Sequence, residues 1–298
     1  MNEEKNQNEE IIAGVRKLSQ HFLVDQKVID DLVFASETDR EDTILEIGPG
    51  RGNITKRLVE VADKVIAVEY DKRLAPYLNE LSKRHNNLEI IFGDILKIRF
   101  PNTDRIISNI PFNITEPLIT KLLNEKFKSA SFIVGETYGK QATTRRSSTR
   151  LGLLTKAYFN IDYVRAVPSG SFDPEPATDC SIITLYPLKK QEIKTDFRLY
   201  ILRCIWDQKT RPLKDALSAA IFQYTGTKGS EISGTERFVS QVKKSYNHPL
   251  NKRVDNLTNP EFTDLYSALK RINIKKLFGG HKPRGGARNW RKDFSDYI

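Results

Sequence analysis

Cysteine is nearly absent: only Cys180 and Cys204 occur in 298 residues. Two cysteines in so long a chain make no disulfide framework, and a reducing cytoplasm is the expected compartment. Neither stands at metal-ligand spacing and the four histidines are scattered, so no metal is predicted. No run is long and apolar enough to span a bilayer, and no membrane partner is expected. Met1 to Glu10 is polar and charged, without the apolar core of a signal segment. Residues 1–17 are expected to form a flexible arm.

Charge of one sign is present in excess. Lysine and arginine number 48 against 38 acidic residues, a net charge of +10. So basic a chain is expected to meet an anionic partner, most commonly nucleic acid. Hydrophobic residues make up 39% of the chain, enough for a core. The length allows one large domain and a smaller one.

Residues 43–187 alternate apolar runs with helical spacing. Thr43–Ile47, Lys64–Glu69, Leu88–Phe92, Arg105–Ser108 and Ser131–Val134 read as strands. Ile54–Val61 and Leu74–Leu81 read as helical. Thr115 is expected to cap a further helix, with Pro117 in its first turn and Leu118, Ile119, Leu122 and Leu123 on one face. Ile161–Val167 and Ser181–Tyr186 are expected to pair as an antiparallel hairpin. The alternation predicts an α/β fold, a parallel sheet with helices on both faces. Beyond Lys190 the spacing is helical only, over Phe197–Trp206, Leu213–Tyr224, Phe238–Tyr246 and Phe262–Leu269. The expected division is a sheet domain over 18–190, a smaller all-α domain over 191–274 and a tail over 275–298. The tail holds seven lysines and arginines against Asp293 and Asp296, with four glycines and Trp290. That composition predicts a flexible basic segment.

Three strand ends bring chemistry to one edge. Glu46-Ile47-Gly48-Pro49-Gly50-Arg51-Gly52 follows the first strand and opens a helix. Its glycines let the backbone turn sharply and approach a ligand. The spacing differs from that of dinucleotide binders, and no Lys-Ser/Thr follows to make a phosphate loop. Glu69 ends the second strand, where a carboxylate can accept both hydroxyls of a ribose. Asp94, in Gly93-Asp94-Ile95, follows the third and can accept from an adenine amino group. Each piece alone is ordinary. Their order predicts a nucleoside cofactor without a phosphate grip, and S-adenosylmethionine fits better than a nucleotide.

Asn109-Ile110-Pro111-Phe112 follows the fourth strand. An Asn amide and a carbonyl can accept hydrogen bonds from an exocyclic amine, and an aromatic face can stack on a base. The segment reads as a clamp for a nucleobase amino group.

These motifs, in this order, resemble those of the rRNA adenine N6-dimethyltransferases, which include KsgA/Dim-type small-subunit and Erm-type large-subunit enzymes. The likeness covers most of the chain. It begins at Leu18-Ser19-Gln20-His21-Phe22-Leu23-Val24-Asp25 and continues through Glu46–Gly52, Val68-Glu69-Tyr70-Asp71, Gly93–Ile95 and Asn109–Asn113. It ends the sheet domain at Phe172-Asp173-Pro174-Glu175-Pro176. The resemblance implies a Rossmann-like, class I S-adenosylmethionine-dependent methyltransferase sheet. It implies that the cofactor lies against His21, Leu23, Gly48, Gly50, Glu69, Asp94, Ile95 and Asn109. Asn109 and the Ile110 carbonyl, with Pro111 and Phe112, would hold and stack a flipped adenine. No classical general base is named.

The small-subunit pattern of the family is not kept throughout. Val134-Gly135-Glu136-Thr137-Tyr138-Gly139-Lys140 replaces its Gln-Lys-Glu segment. Lys140, Arg145, Arg146 and Arg150 follow with no acid between 140 and 150, which reads as an RNA-phosphate contact. Lys209, Arg211 and Lys214 lie in a degraded copy of the small-subunit enzymes' basic helical segment. The Asn-Ile-Pro-Phe wording and the basic tail lean toward Erm-type enzymes instead. The expected partner is ribosomal RNA or a ribosomal subunit precursor, met by a monomer. Three readings stay open: a small-subunit dimethyltransferase, a 23S enzyme conferring macrolide-type resistance, and a non-catalytic ribosome-assembly factor on the same scaffold.

Overall fold

The computed structural model describes residues 20–144, 149–189, 192–225, 232–274 and 277. The expected arm, Leu18, Ser19, Arg145, Arg146 and, apart from Leu277, the basic tail lie outside them. The chain divides into two compact units. One takes residues up to 145 and 159–187, the other residues 146–158 and everything from 188 on.

In chain order the first unit carries β1 (Phe22–Leu23), α1 (Gln26–Ala35), β2 (Thr43–Ile47), α2 (Asn53–Val61) and β3 (Lys64–Glu69). Then come α3 (Ala75–Arg84), β4 (Leu88–Phe92), β5 (Arg105–Asn109), α4 (Thr115–Leu122), β6 (Ser129–Gly135) and α5 (Glu136–Thr143). After α6 (Arg150–Tyr158), which belongs to the other unit, β7 (Phe159–Val167), β8 (Phe172–Asp173) and β9 (Cys180–Pro187) complete it.

Seven strands form one sheet in the order β4-β3-β2-β5-β6-β9-β7. The first five run parallel, while β9 is antiparallel to both β6 and β7. The expected hairpin is therefore present, with a bulge between Tyr163 and Arg165. The chain steps from β2 toward β4, then returns to β5 on the other side of β2. That reversal opens a crevice at the carboxyl ends of β2 and β5, where open α/β sheets bind ligands. A second, two-stranded sheet pairs Phe22 with Asp173 and Leu23 with Phe172.

The elements form for local reasons. β2, β3, β5 and β6 are buried almost throughout, so their sequences read as continuous apolar runs rather than alternating ones. α1 starts where Asp25 accepts from the Lys27 and Val28 amides, and it buries Val28, Ile29, Leu32 and Val33 on one face. α2 buries Ile54, Thr55, Leu58 and Val59. Leu32 and Leu58 are fully buried; truncating such a leucine to alanine costs about 2–5 kcal/mol.

Thr115 does not cap α4. A 3₁₀ turn over Phe112–Ile114 runs straight into the helix, and Thr115 already has helical dihedrals (φ −54°, ψ −51°). A cap needs extended backbone, which this turn denies it.

At the opposite pole of the sheet Arg105 is buried. It donates to Asp42 at 2.5 Å, to the Ser36 carbonyl at 2.6 Å and to Ser129 Oγ at 3.0 Å. Burial pushes the Asp42 carboxyl up, but hydrogen bonds from Lys128, the Asp39 amide and Arg105 outweigh it and hold it at about 2. This network ties the starts of β5 and β6 to the segment before β2, away from the crevice.

The second unit is helical: α6, then α7 (Phe197–Trp206), α8 (Leu213–Thr225), α9 (Ile232–Ser245) and α10 (Asn259–Lys270). Its core is aromatic. Phe197 packs edge-on against Phe238 and Tyr224, and Trp206 against Phe262. Asp196 caps α7, and Thr258 with Glu261 forms a reciprocal capping box at α10. The expected boundary put residues 146–158 in the sheet domain. α6 instead packs with the helices: the Tyr158 hydroxyl donates to Asp207, and the Arg150 guanidinium to the Leu257 carbonyl.

Candidate active site

One cavity of about 330 Å³ lies at the carboxyl ends of β2, β3, β4 and β5. Every residue the sequence assigned to a cofactor, His21, Leu23, Gly48, Gly50, Glu69, Asp94, Ile95 and Asn109, lines it. So do Ile110, Pro111 and Phe112. The parallel register explains the convergence. Strand ends that lie side by side point their following loops the same way, and Gly48 N and Gly93 N bond back to Val68 O and Glu69 O, at 2.9 and 2.8 Å.

The glycine loop is left-handed at Gly48, Gly50 and Gly52 (φ 69°, 61° and 81°). Gly50 is also pressed by a neighbour: a Cβ there would stand 2.8 Å from the Phe22 ring. Only glycine meets both demands at once. Arg51 lies over the other part of that contact, 4.7 Å from the Phe22 ring centre and 3.7 Å from Asp173. The two-stranded sheet is thereby held against the glycine loop.

Glu69 is buried, and its two oxygens accept from Gly50 N at 3.0 Å and Asp71 N at 2.7 Å. Burial raises its pKa, against those amide bonds, which favour the anion. A carboxylate has about four lone-pair directions, so each oxygen can still take one hydroxyl. Asp94 Oδ1 accepts from Leu96 N at 3.0 Å, and Oδ2 lies 3.3 Å from the exposed Lys97.

Asn109 Nδ2 donates to the His21 carbonyl at 2.7 Å. A carbonyl only accepts, so Oδ1 is the side-chain atom left to receive an amine. The His21 ring stacks on Phe112 with centroids 5.9 Å apart, and its Nδ1–H donates to the Pro174 carbonyl at 2.8 Å. Asn109, His21, Phe112 and the Pro174 loop are thus one connected assembly.

The segment Gln20 to Leu23, which the resemblance implies closes over the cofactor, lines the cavity, while sequence reasoning missed Arg51, Asn53 and Tyr70. All lie inside or beside the motifs, which was the available signal. Asn53 Nδ2 donates to the Leu23 carbonyl at 2.8 Å, a second tie on the covering segment. Gln20 Oε1 is buried without a hydrogen-bond partner. Glu46 opens the glycine motif at the end of β2. It is 1% exposed, and neither oxygen closes a hydrogen bond in good geometry, although Thr55 is near enough to favour the anion slightly. Burial pushes its pKa up to about 8, and the neighbouring Glu69 adds to the rise.

The described basic residues are divided between the two units. Lys140 is in the first unit and pairs with Glu136 one helical turn back, at 2.8 Å. Arg150 is in the second unit, bonded to the Leu257 carbonyl and 6.0 Å from the Trp206 ring centre. Lys209 lies 5.5 Å from that same ring, Arg211 donates to Gln208, and Lys214 is exposed.

This arrangement can hold a nucleoside on Glu69 and Asp94 and an amine on Asn109. A family model described as ribosomal RNA adenine dimethylase matches residues 13–248. The chain is 32% identical over 255 residues to a protein of Methanosarcina acetivorans named probable ribosomal RNA small subunit methyltransferase A, across 84% of this chain and 91% of that one. It is similar to the crystal structure of a dimethyladenosine transferase from Plasmodium falciparum, with a TM-score of 0.58 and 26% identity over 82% of this chain and 96% of that one. The crystal structure of the 23S rRNA methyltransferase ErmE matches with a TM-score of 0.54 and 22% identity, over 84% of this chain and all of that one. At that identity it speaks for the fold alone, the class I S-adenosylmethionine-dependent methyltransferase fold expected from the sequence. With the motifs gathered round one crevice and the family model spanning both units, the chain belongs to the ribosomal RNA adenine dimethylase family.

Proposed function

We propose that this protein transfers methyl groups from S-adenosylmethionine to N6 of adenine in small-subunit ribosomal RNA, acting in the cytoplasm as a monomer. The observation that carries the reading is a single cavity lined by Gly48, Glu69 and Asp94 on one side and Asn109 to Phe112 on the other. The relative from Methanosarcina supports the small subunit as the target.

The residues present fit that cofactor. The left-handed glycine loop leaves room for close approach, Glu69 keeps lone pairs for a ribose, and Asp94 stands to accept from an adenine amine. Gln20 Oε1, buried and unpartnered, suits the ammonium of the amino-acid end. When bound, S-adenosylmethionine supplies an electrophilic sulfonium methyl.

The chain's own part is binding and orientation. Phe112 offers a face for a base drawn out of RNA, which offsets some of the few kcal/mol lost on unstacking. The target N6 is a poor nucleophile because its lone pair is delocalised into the ring. Asn109 Oδ1 and the Ile110 carbonyl accept its two N–H bonds, which favours the tetrahedral nitrogen as it attacks. The covering segment from Gln20 to Leu23 excludes water from the reacting atoms. Lys209, Arg211 and Lys214 contribute phosphate contacts.

Labelled methyl transfer to purified 30S and 50S particles and to naked rRNA tests this, with N6-methyladenine mapped in 16S and 23S rRNA. Label in 16S rRNA is expected. Label confined to 23S rRNA would move the assignment to the large subunit, and binding without label would leave an assembly factor.

A further inference from the structure

Residues 94–98 close one turn after β4. Lys97 N and Ile98 N both donate to the Asp94 carbonyl, at 2.8 and 3.0 Å. Asp94 Oδ1 caps the start by accepting from Leu96 N. So short a turn leaves its carbonyls without amides further along the chain. Here a side chain serves them. Lys121, in the last turn of α4, donates from Nζ to the Ile95 carbonyl at 2.6 Å and to the Ile98 carbonyl at 2.7 Å. The lysine is half-buried, and its ammonium lies 6.0 Å from the Phe100 ring centre. Hydrogen bonds from a charged donor are roughly twice as strong as neutral ones. The turn is also pressed from its other end: a Cβ on Gly93 would stand 3.2 Å from Ile98 Cγ2.

What Lys121 joins gives it a role. The turn carries Asp94, Ile95 and Leu96, which line the cavity. α4 follows Asn109–Phe112 through the 3₁₀ turn over Phe112–Ile114. One ammonium therefore bridges the wall assigned to the cofactor's adenine and the helix that continues the base clamp. We infer that Lys121 is a positioning residue for methyl transfer: it fixes the adenine wall of the cofactor cavity and keeps that wall in register with Asn109–Phe112. The inference rests on reading the cavity as an S-adenosylmethionine site. Lys121 itself does not line the cavity and acts only through the carbonyls of Ile95 and Ile98.

Removing the ammonium leaves two carbonyls short of a donor, and the turn is free to shift. A ligand seated on Glu69 and the glycine loop then loses its fit at Asp94. The loss falls on the adenine end and spares the rest of the ligand.

The test compares the full-length wild type with Lys121→Met, Lys121→Gln and Lys121→Arg. Each is titrated calorimetrically with S-adenosylhomocysteine and with S-inosylhomocysteine, in which an oxo group replaces the 6-amino group. The wild type is expected to prefer the adenosine form. Lys121→Met should weaken S-adenosylhomocysteine binding on the order of tenfold and bring the ratio of the two dissociation constants toward one. Lys121→Arg should restore most of the preference. If Lys121→Met does not fold, Lys121→Gln, which is shorter and uncharged, carries the same comparison. A lowered melting temperature with an unmoved ratio would mean a merely structural lysine and overturn the inference. Wild type that binds neither compound would instead overturn the cofactor reading, and this inference with it.

Discussion

Asn109 Nδ2 and the backbone carbonyl of His21 are hydrogen-bonded across 2.7 Å. The residue proposed to receive the target amine therefore also fastens the segment that covers the cofactor cavity. The proposed base clamp and the proposed cofactor cover share one side chain.

Asn109→Ala should consequently act twice. Loss of the Oδ1 acceptor should lower kcat on the order of a hundredfold, in the range seen when one preorganised hydrogen-bonding group is deleted from a transition state. Loss of the tie to His21 should also raise the KM for S-adenosylmethionine several-fold. Steady-state kinetics separate the two. Unchanged kcat would remove Asn109 from the chemistry, and unchanged KM would make the His21 contact dispensable.

Gly50→Ala should fail for two additive reasons. The left-handed backbone costs a non-glycine residue about 1–2 kcal/mol, and the new methyl meets the Phe22 ring at 2.8 Å. Reduced S-adenosylhomocysteine affinity and a lower melting temperature are expected. Adding Phe22→Leu, which shortens the side chain, should recover part of the affinity but none of the backbone cost. A double variant no better than the single one would show that the ring contact is irrelevant.

Glu46 predicts a dependence on pH. Its folded pKa, about 8, lies above its ordinary value of 4.5. The folded state thus holds a proton that the unfolded state releases between those values. Stability from this group is complete below about 4.5 and is lost as pH rises toward 8. Glu46→Gln, which stays neutral, should therefore match the wild type near pH 4 and exceed it at pH 7 by on the order of 3 kcal/mol. Urea unfolding at several pH values measures this. A constant difference across pH would mean that Glu46 is ionised in the fold.

Arg211 and Lys214 predict a salt effect. Both are exposed, and the Arg211 guanidinium donates to Gln208. If they meet phosphates, replacing both with alanine should weaken RNA binding across sequences and lower the slope of log K against log salt by about 1–2. A slope equal to that of the wild type would leave them as solvated charges.

Much of the site was legible because its parts sit on motifs of short range. A glycine turn after an apolar run, an acid at the next strand end and an Asn-Ile-Pro-Phe segment are each fixed by a few adjacent residues. The covering sheet was not legible: Phe22 and Leu23 meet Asp173 and Phe172 across most of the first unit. The same distance hid the use of Arg150. The sequence between 140 and 150 holds no acid, yet Arg150 spends its guanidinium on a carbonyl at Leu257. Thr115 looked like a cap because capping is read from residue type, while the dihedrals were set by the turn before it.

Local sequence alone determined the strands of the large sheet and several of the helices, the helical character beyond Lys190 and the residues able to hold a nucleoside and an amine. Those properties depend on side-chain chemistry and spacing along a few turns of chain. Only the tertiary structure decided that β2 and β5 are neighbours, that α6 packs with the helical unit, that Asn109 holds His21 and that Lys121 closes the turn behind Asp94. Each of these joins groups far apart in sequence, and their partners are chosen by packing and by the need of buried polar atoms to be satisfied.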